Sequence, residues 1–393
     1  MSTTNPLSYI TTELQAIKDS GAYRPLRELQ GPQGASARFD GKDVVNLSSN
    51  NYLGLANDPR LNEAAIKAIE THGAGTGSVR TIAGTMDIHM ELERRLAIFK
   101  KTEAVVVFQS GFTANAGTVA AILGKDDVIV SDRLNHASII DGARLSRAEI
   151  KVYEHADIDS LREKLAETKG RRTLVVTDGV FSMDGDIAPL PGVVEAAEEA
   201  GAAIMVDDAH ASGVMGSNGR GTVDHFGLHG RVHIQVGTLS KAVGVLGGYV
   251  AGSKDLIEWL YVRGRPFLFS SSHPPAVVGA CLAALDILEN EPERIERLWE
   301  NTRFFKKGLS DLGFDTGASE SPITPVIVGE TEDAVKFSES LFRRGVFAQH
   351  LGFPTVPKGR ARVRTIVTAT HTTEQLQFAL NAFEAAGREQ GLI

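Results

Sequence analysis

Lys241 closes the stretch Gly237-Thr238-Leu239-Ser240-Lys241, which follows the apolar run 232–236. A lone lysine belongs on a solvated surface. At the carboxyl end of a strand, however, it stands where open α/β sheets bind ligands, and burial there can leave its amine unprotonated and able to form a Schiff base with an aldehyde. Other residues sit at the same kind of position. Asp207-Asp208-Ala209-His210 ends the run 203–206. An Asp there can pair with a protonated ring nitrogen, which keeps a buried carboxylate ionised, and a His three positions on can donate to a phenolate. Taken alone, the segment equally suits a helix cap and a hydrogen-bonded core histidine. Gln109-Ser110-Gly111-Phe112-Thr113 leaves another strand and opens a helix, where free N–H groups and the positive end of the dipole suit a phosphate. His136, in Asn135-His136-Ala137-Ser138, points at the same edge and can stack on a planar ring, while Ser182, in the loop 177–186, can offer a hydroxyl to a ring substituent.

Two patterns are excluded. The acids of 177–186 lack the later glutamate of a helix-flanked calcium loop, so no metal is expected. Gly73-Ala74-Gly75-Thr76-Gly77-Ser78 neither follows a strand nor ends in the lysine and hydroxyl of a P-loop, which removes a nucleotide. One ligand accounts for the remaining set: a planar, phosphorylated pyridine aldehyde, pyridoxal phosphate, whose protonated ring is an electron sink. Lys241 would supply the imine, Asp207 the ring-nitrogen counter-ion, His136 the stacking face, His210 and Ser182 the phenolate contacts, and Gly111 with Phe112 the phosphate turn.

The elements that must hold these residues follow from periodicity. Between about 100 and 251, short β-branched runs (104–108, 128–130, 173–177, 203–206, 233–236, 248–251) alternate with helical spacing (112–123, 158–167, 192–200), the signature of an α/β fold with a mostly parallel sheet covered by helices. An N-terminal helix, a turn-rich stretch and helices over 62–71 and 86–99 precede this block. Helices at 255–263 and 275–312 follow it, then strands at 325–328, 345–348 and 362–367 alternating with helices at 332–344 and 373–387, a smaller C-terminal α+β domain. The expected division is an N-terminal segment 1–55, a large domain 56–290 and a small domain 291–393.

With 393 residues, 42% of them hydrophobic, the chain can bury a large core. Its net charge of -8, from 41 basic and 49 acidic residues, gives no positive field for nucleic acid or anionic lipid. Small molecules and a second copy of the chain are the expected partners. Residues 1–18 carry no secretory pattern, and no apolar stretch is long enough to span a bilayer, so a cytoplasmic location is expected. The single cysteine, Cys281, lies in an apolar run and is expected to be a buried structural thiol.

From Gly21 to Gly387 the chain resembles the α-oxoamine synthases, fold-type I pyridoxal-phosphate enzymes that condense an amino acid with an acyl-CoA. The matching motifs are Asn46-Leu47-Ser48-Ser49-Asn50-Asn51-Tyr52-Leu53-Gly54-Leu55, Asn135-His136-Ala137-Ser138, Asp178-Gly179-Val180-Phe181-Ser182-Met183-Asp184-Gly185, Val206-Asp207-Asp208-Ala209-His210 and Gly219-Arg220-Gly221. The resemblance implies a Schiff base on Lys241, pairing of Asp207 and His210 with the ring, and Thr238 as a phosphate ligand. It further implies that Ser270 and Ser271 reach the phosphate of a neighbouring subunit, in a homodimer with shared active sites. Arg364 matches the arginine that grips the amino acid's carboxylate, a role its planar fork suits; for Arg362 the plain reading of an exposed arginine on a strand stays open. Arg24, Asn50 and Thr355 match positions on the substrate side. In the implied reaction the amino acid displaces the Lys241 amine, which then removes the Cα proton, and His136 assists attack on the thioester.

Within the family, Ser78-Val79-Arg80, the stretch 134–142 and Arg265-Pro266-Phe267-Leu268-Phe269-Ser270 look most like the glycine C-acetyltransferases of threonine degradation. Glycine and acetyl-CoA, giving 2-amino-3-ketobutyrate, are therefore the expected substrates. The alternative is the 8-amino-7-oxononanoate synthase reaction of biotin biosynthesis, which joins L-alanine to pimeloyl-CoA with release of CO2, or both activities in one enzyme. An aminotransferase and a non-catalytic partner subunit are the remaining classes.

Overall fold

In the computed structural model, which describes residues 5–19, 23 and 25–393, the alternating runs form a seven-stranded sheet. Arg24 lies outside the described residues. The strand order is Ala104–Phe108, Gly248–Gly252, Ile234–Thr238, Ala203–Asp207, Thr173–Asp178, Val128–Asp132, Glu149–Tyr153. Gly248–Gly252 pairs antiparallel with both of its neighbours, and the other six strands run one way. The reversal has a local cause: only nine residues separate Thr238 from Gly248, too few for the helical crossover that a parallel partner needs.

Both faces of the sheet are buried, which is why its strands read as continuous apolar runs. Val106, Ile129, Val176, Met205 and Val236 enter one core, and their neighbours Val128, Val130, Val175, Ile204 and Val206 enter another. Alternate residues of a strand point to opposite faces, so two cores share one sheet. A third and larger core joins Val105, Val107 and Tyr249 to the helices Pro275–Asn290 and Glu293–Asp311. Cys281 lies within it as a buried free thiol, as expected. The expected helical run 275–312 is broken at Pro292, which cannot donate to the preceding turn.

Two pieces of sheet depart from the expectation. Glu149–Tyr153 is an edge strand whose mostly exposed EIKVY sequence carries charge on alternate positions, which hid it as strand. The turn-rich N-terminal stretch contains a hairpin, Ser36–Phe39 against Lys42–Asn46, turned at Asp40-Gly41 with φ of 49° and 78°. Asp-Gly with both residues at positive φ is the tight turn that matches strand twist. Val45 and Asn46 then pair in parallel with Val346–Phe347. A further three-stranded sheet sets Ala361–Ile366 between Ile323–Gly329 and Gln349–Leu351, with Arg364 opposite Pro325 and Gln349. Among the described residues no helix is long and apolar enough to cross a membrane.

Lys100, at the end of the helix Asp87–Lys100, is fully buried with its Nζ 3.0 Å from Asp208 Oδ2, and it also donates to the Arg220 carbonyl. Asp208 accepts further bonds from the amide and hydroxyl of Thr222. This acid therefore braces the fold beneath the strand end. Lys100→Met leaves a buried carboxylate without its cation, and thermal and urea unfolding should show a loss of about 3–5 kcal/mol. An unchanged midpoint would contradict that role.

Candidate active site

Because six strands share a direction, their carboxyl ends meet at one edge, and the chemistry-bearing residues follow five of those ends. Gly111 and Phe112 open the helix Gly111–Ile122, with Ser110 capping it by accepting the Thr113 amide. The helix start approaches the strand carrying Thr238 so closely that a Cβ on Gly111 would lie 3.3 Å from Thr238 Cβ. The Thr238 hydroxyl bonds the Gly247 carbonyl at 2.9 Å and meets Ser240 Oγ at 2.8 Å.

Asp207 is buried at its strand end, where Oδ1 accepts the Ala209 amide at 2.8 Å and Oδ2 accepts Asn115 Nδ2 at 2.6 Å. The second N–H of Asn115 reaches Ser138 Oγ at 2.9 Å, and Ser138 Oγ lies 2.7 Å from His136 Nδ1. A continuous hydrogen-bonded chain thus runs from Asp207 to His136. Since His136 Nδ1 also accepts the Ser138 amide, its neutral form carries the proton on Nε2. Burial, aided by Lys241 and opposed by Asp207, lowers the affinity of this imidazole for a second proton. His210 is held well below its ordinary range by burial and then by Lys241, Arg364 and His136, and its Nδ1 lies 2.7 Å from the Tyr52 hydroxyl.

The half-buried Lys241 shares the neighbourhood of Asp207, Asp178 and Arg364. Burial lowers its amine to about 8, with Arg364 helping and the two carboxyls opposing. Asp178 is pushed the other way, well above the usual carboxylate range, first by burial and then by the Asp207 charge. Arg364 donates to the Ser182 carbonyl at 2.8 Å, and among the described residues no carboxylate pairs with it. The exposed reading of Arg362 does not hold: it is buried against Asp184 and the Met183 carbonyl. The acids of the 177–186 loop are thereby committed to protein partners, Asp178 to the His136 amide, Asp184 to Arg362 and Asp186 to His155.

The other expected residues lie further out. Ser182 meets Arg364 through its carbonyl, and Asn50 has a shielded Oδ1 without a partner among the described residues. Ser271 is exposed, with its carbonyl accepting from Gln109, two residues before Gly111; Ser270 is half-buried beside it. Thr355 is exposed in the loop before Ala361–Ile366. A cavity of about 370 Å³ lies beside Arg364, walled by Leu26, Phe39, Phe347, Leu351 and Gln349. Asn115 and Tyr52 were missed as contributors. The signal for Asn115 was a lone amide within the small, apolar helix GFTANAGTVAAI. Taken together, a helix start free of side-chain bulk, a buried carboxylate, an imidazole and a desolvated amine fit a planar phosphorylated pyridine aldehyde.

Comparison with known proteins agrees with this chemistry. Residues 42–383 match the family described as aminotransferase class I and II. The 8-amino-7-oxononanoate synthase of Symbiobacterium thermophilum is 64% identical over 98% of this chain and 99% of its own, and that of Thermoanaerobacter pseudethanolicus is 58% identical over 100% of both. A variant serine palmitoyltransferase from S. paucimobilis, solved with a bound PLP–myriocin aldimine, superposes with a TM-score of 0.94 at 36% identity, covering 99% of this chain and 100% of that one. The fold-type I architecture is borne out.

The same relatives overturn the expectation of glycine, acetyl-CoA and threonine degradation, since they carry the name of the alternative. The motifs behind that expectation report scaffold contacts: Arg80 is buried in a two-pronged pair with Glu93, and Asn135 bonds Ser131 and the Val176 carbonyl. Neither contact reads an acyl chain. Tyr52→Phe strips His210 Nδ1 of its buried partner, and thermal unfolding should register a loss of about 1–3 kcal/mol. Equal midpoints would show that the contact contributes nothing.

Proposed function

Because the chain belongs to the class I and II aminotransferase family, as one of its pyridoxal-phosphate-dependent α-oxoamine synthases, we propose that it acts as an 8-amino-7-oxononanoate synthase. It would join L-alanine to pimeloyl-CoA, releasing CoA and CO2, in biotin biosynthesis. The observation that carries the reading is the 64% identity to a synthase of that name over 98% of the chain. Bound at the strand ends, pyridoxal phosphate supplies an aldehyde carbon and an electron-withdrawing ring that stabilises negative charge at an amino acid's Cα.

Gly111, Phe112 and Thr238 would hold the phosphate, Asp207 the ring nitrogen, His136 the ring face, and His210 with Ser182 the phenolic oxygen. Lys241 takes the Cα proton, for which an amine lowered to about 8 is better matched than an ordinary lysine. Arg364 orients the amino acid by its carboxylate, a role supported by a half-buried guanidinium with which no carboxylate pairs among the described residues. His136, with its Nε2 proton, donates to the thioester oxygen as negative charge grows there. The cavity beside Arg364, with apolar walls and Arg27 at its lining, suits a methylene chain that ends in a carboxylate, and Asn50 and Thr355 would complete the substrate side.

The active form is read as a cytoplasmic homodimer in which Ser270 and Ser271 serve the partner's phosphate. Its support is the exposed apolar side chains on three adjoining segments: Ile82 (82%), Phe112 (46%) and Phe269 (71%). Such a patch calls for a covering surface.

CoA release by the purified enzyme should be faster with L-alanine plus pimeloyl-CoA than with glycine plus acetyl-CoA by at least about tenfold in kcat/KM. Turnover of the glycine pair alone would overturn the substrate assignment. A second expectation concerns proton balance. Cofactor-free protein should take up pyridoxal phosphate covalently at a rate that rises with pH and levels off above about 8, because only the unprotonated Lys241 amine attacks the aldehyde. Borohydride should fix the adduct in the wild type and not in Lys241→Ala; trapping in the variant would contradict the role of Lys241.

A further inference from the structure

His155 lies outside every motif that the chemistry draws on. It follows the edge strand Glu149–Tyr153, and its imidazole sits between two carboxylates, with Nδ1 3.0 Å from Asp132 Oδ1 and Nε2 2.8 Å from Asp186 Oδ2. Its ring meets that of Phe181 edge-on, with centroids 4.5 Å apart. Burial alone would lower this imidazole, but the two carboxylates overcome burial and push it up to about 10. At neutral pH it is therefore a cation that donates from both nitrogens.

The two carboxylates belong to different walls of the site. Asp132 ends its strand and holds the turn leading to His136, since Oδ1 also accepts the Leu134 amide at 2.8 Å, while Oδ2 accepts the Ala156 amide at 3.0 Å. Asp186 closes the turn that starts at Phe181: the Gly185 amide donates to Phe181 O at 2.8 Å, and the Phe181 amide to Asp186 O at 3.0 Å. The tip of that turn faces the small sheet. Ser182 O receives Arg364, while Met183 O and the Asp184 carboxylate receive Arg362. The other Asp186 oxygen, Oδ1, has no partner, so among the described residues His155 provides the one hydrogen bond that the Asp186 side chain makes.

We infer that His155 is a positioning residue: it clamps the Phe181–Asp186 turn to the Asp132 strand end, and through the Ser182 carbonyl it sets where Arg364 stands to receive the amino acid's carboxylate. The inference rests on the proposed role of Arg364 and is independent of the acyl chain. A displaced turn would misplace the guanidinium while leaving Lys241 and Asp207, on other strand ends, where they are.

The test is a spectral titration of the holoenzyme, without acyl-CoA, by L-alanine and by ethylamine, which lacks the carboxylate. His155→Ala should weaken L-alanine binding about tenfold and change ethylamine binding by less than about twofold. Equal weakening of both ligands, or of neither, would overturn the inference, because a merely structural loss does not distinguish them. Should His155→Ala fail to fold, Asp186→Asn retains an acceptor for the imidazole and should weaken L-alanine alone by about threefold; an unchanged affinity counts against the clamp. If the wild type itself failed to prefer L-alanine over ethylamine, the fault would lie with the role given to Arg364.

Discussion

Asp178 and Asp207 end neighbouring parallel strands and lie opposite one another in register, so two buried carboxyl groups confront each other at the site. Like charges so placed do not both ionise. Asp207 accepts from Asn115 and the Ala209 amide and Asp178 from the His136 amide, while burial, and then the Asp207 charge, push the Asp178 carboxyl well above the usual carboxylate range. The Asp178 carboxyl is thereby biased toward its neutral form. Asp208, next in the chain, is removed from the contest by Lys100. Burial lowers the Lys241 amine to about 8 against the opposing pull of Asp207 and Asp178.

The remaining geometry extends from that anion. Asn115 passes the orientation of Asp207 to Ser138 and so to His136, which keeps the histidine tautomer and the carboxylate in one network. On the other side Tyr52, from the segment before the large sheet, reaches across to His210. Arg364 arrives from the small sheet and is held by the Ser182 carbonyl at 2.8 Å. The site is thus assembled from elements far apart in sequence, each of which places one side chain at the common strand edge. This explains how an amine, an acid and a guanidinium can stand together without neutralising one another.

Much of this was legible in the sequence, and the boundary has physical causes. The strand ends could be found because a parallel sheet with two buried faces writes itself as short apolar runs, and the residues after those runs face the ligand edge. The edge strand Glu149–Tyr153 and the hairpin at Asp40-Gly41 were lost because one is largely solvent-exposed and the other has strands of four and five residues whose third partner, Val346–Phe347, lies far away in the sequence. Pairings such as His155 with Asp132 and Asp186 span 23 and 31 residues and leave no local pattern. The acyl substrate was misjudged for a related reason. The motifs that suggested acetyl-CoA stabilise the scaffold through Arg80 and Asn135, whereas an acyl chain would be read by the shape of a pocket, and the cavity beside Arg364 is built from several separate segments.

Orientation at the site turns on two groups: in the proposed reaction Asp207 would fix the ring, and Arg364, with no carboxylate partner among the described residues, would fix the amino acid against it. The most direct measurement is the crystal structure of the holoenzyme soaked with L-alanine. Density should show the cofactor's ring nitrogen against Asp207 and the alanine carboxylate bonded to Arg364. A carboxylate lying away from Arg364, or a ring nitrogen facing any group other than Asp207, would contradict it.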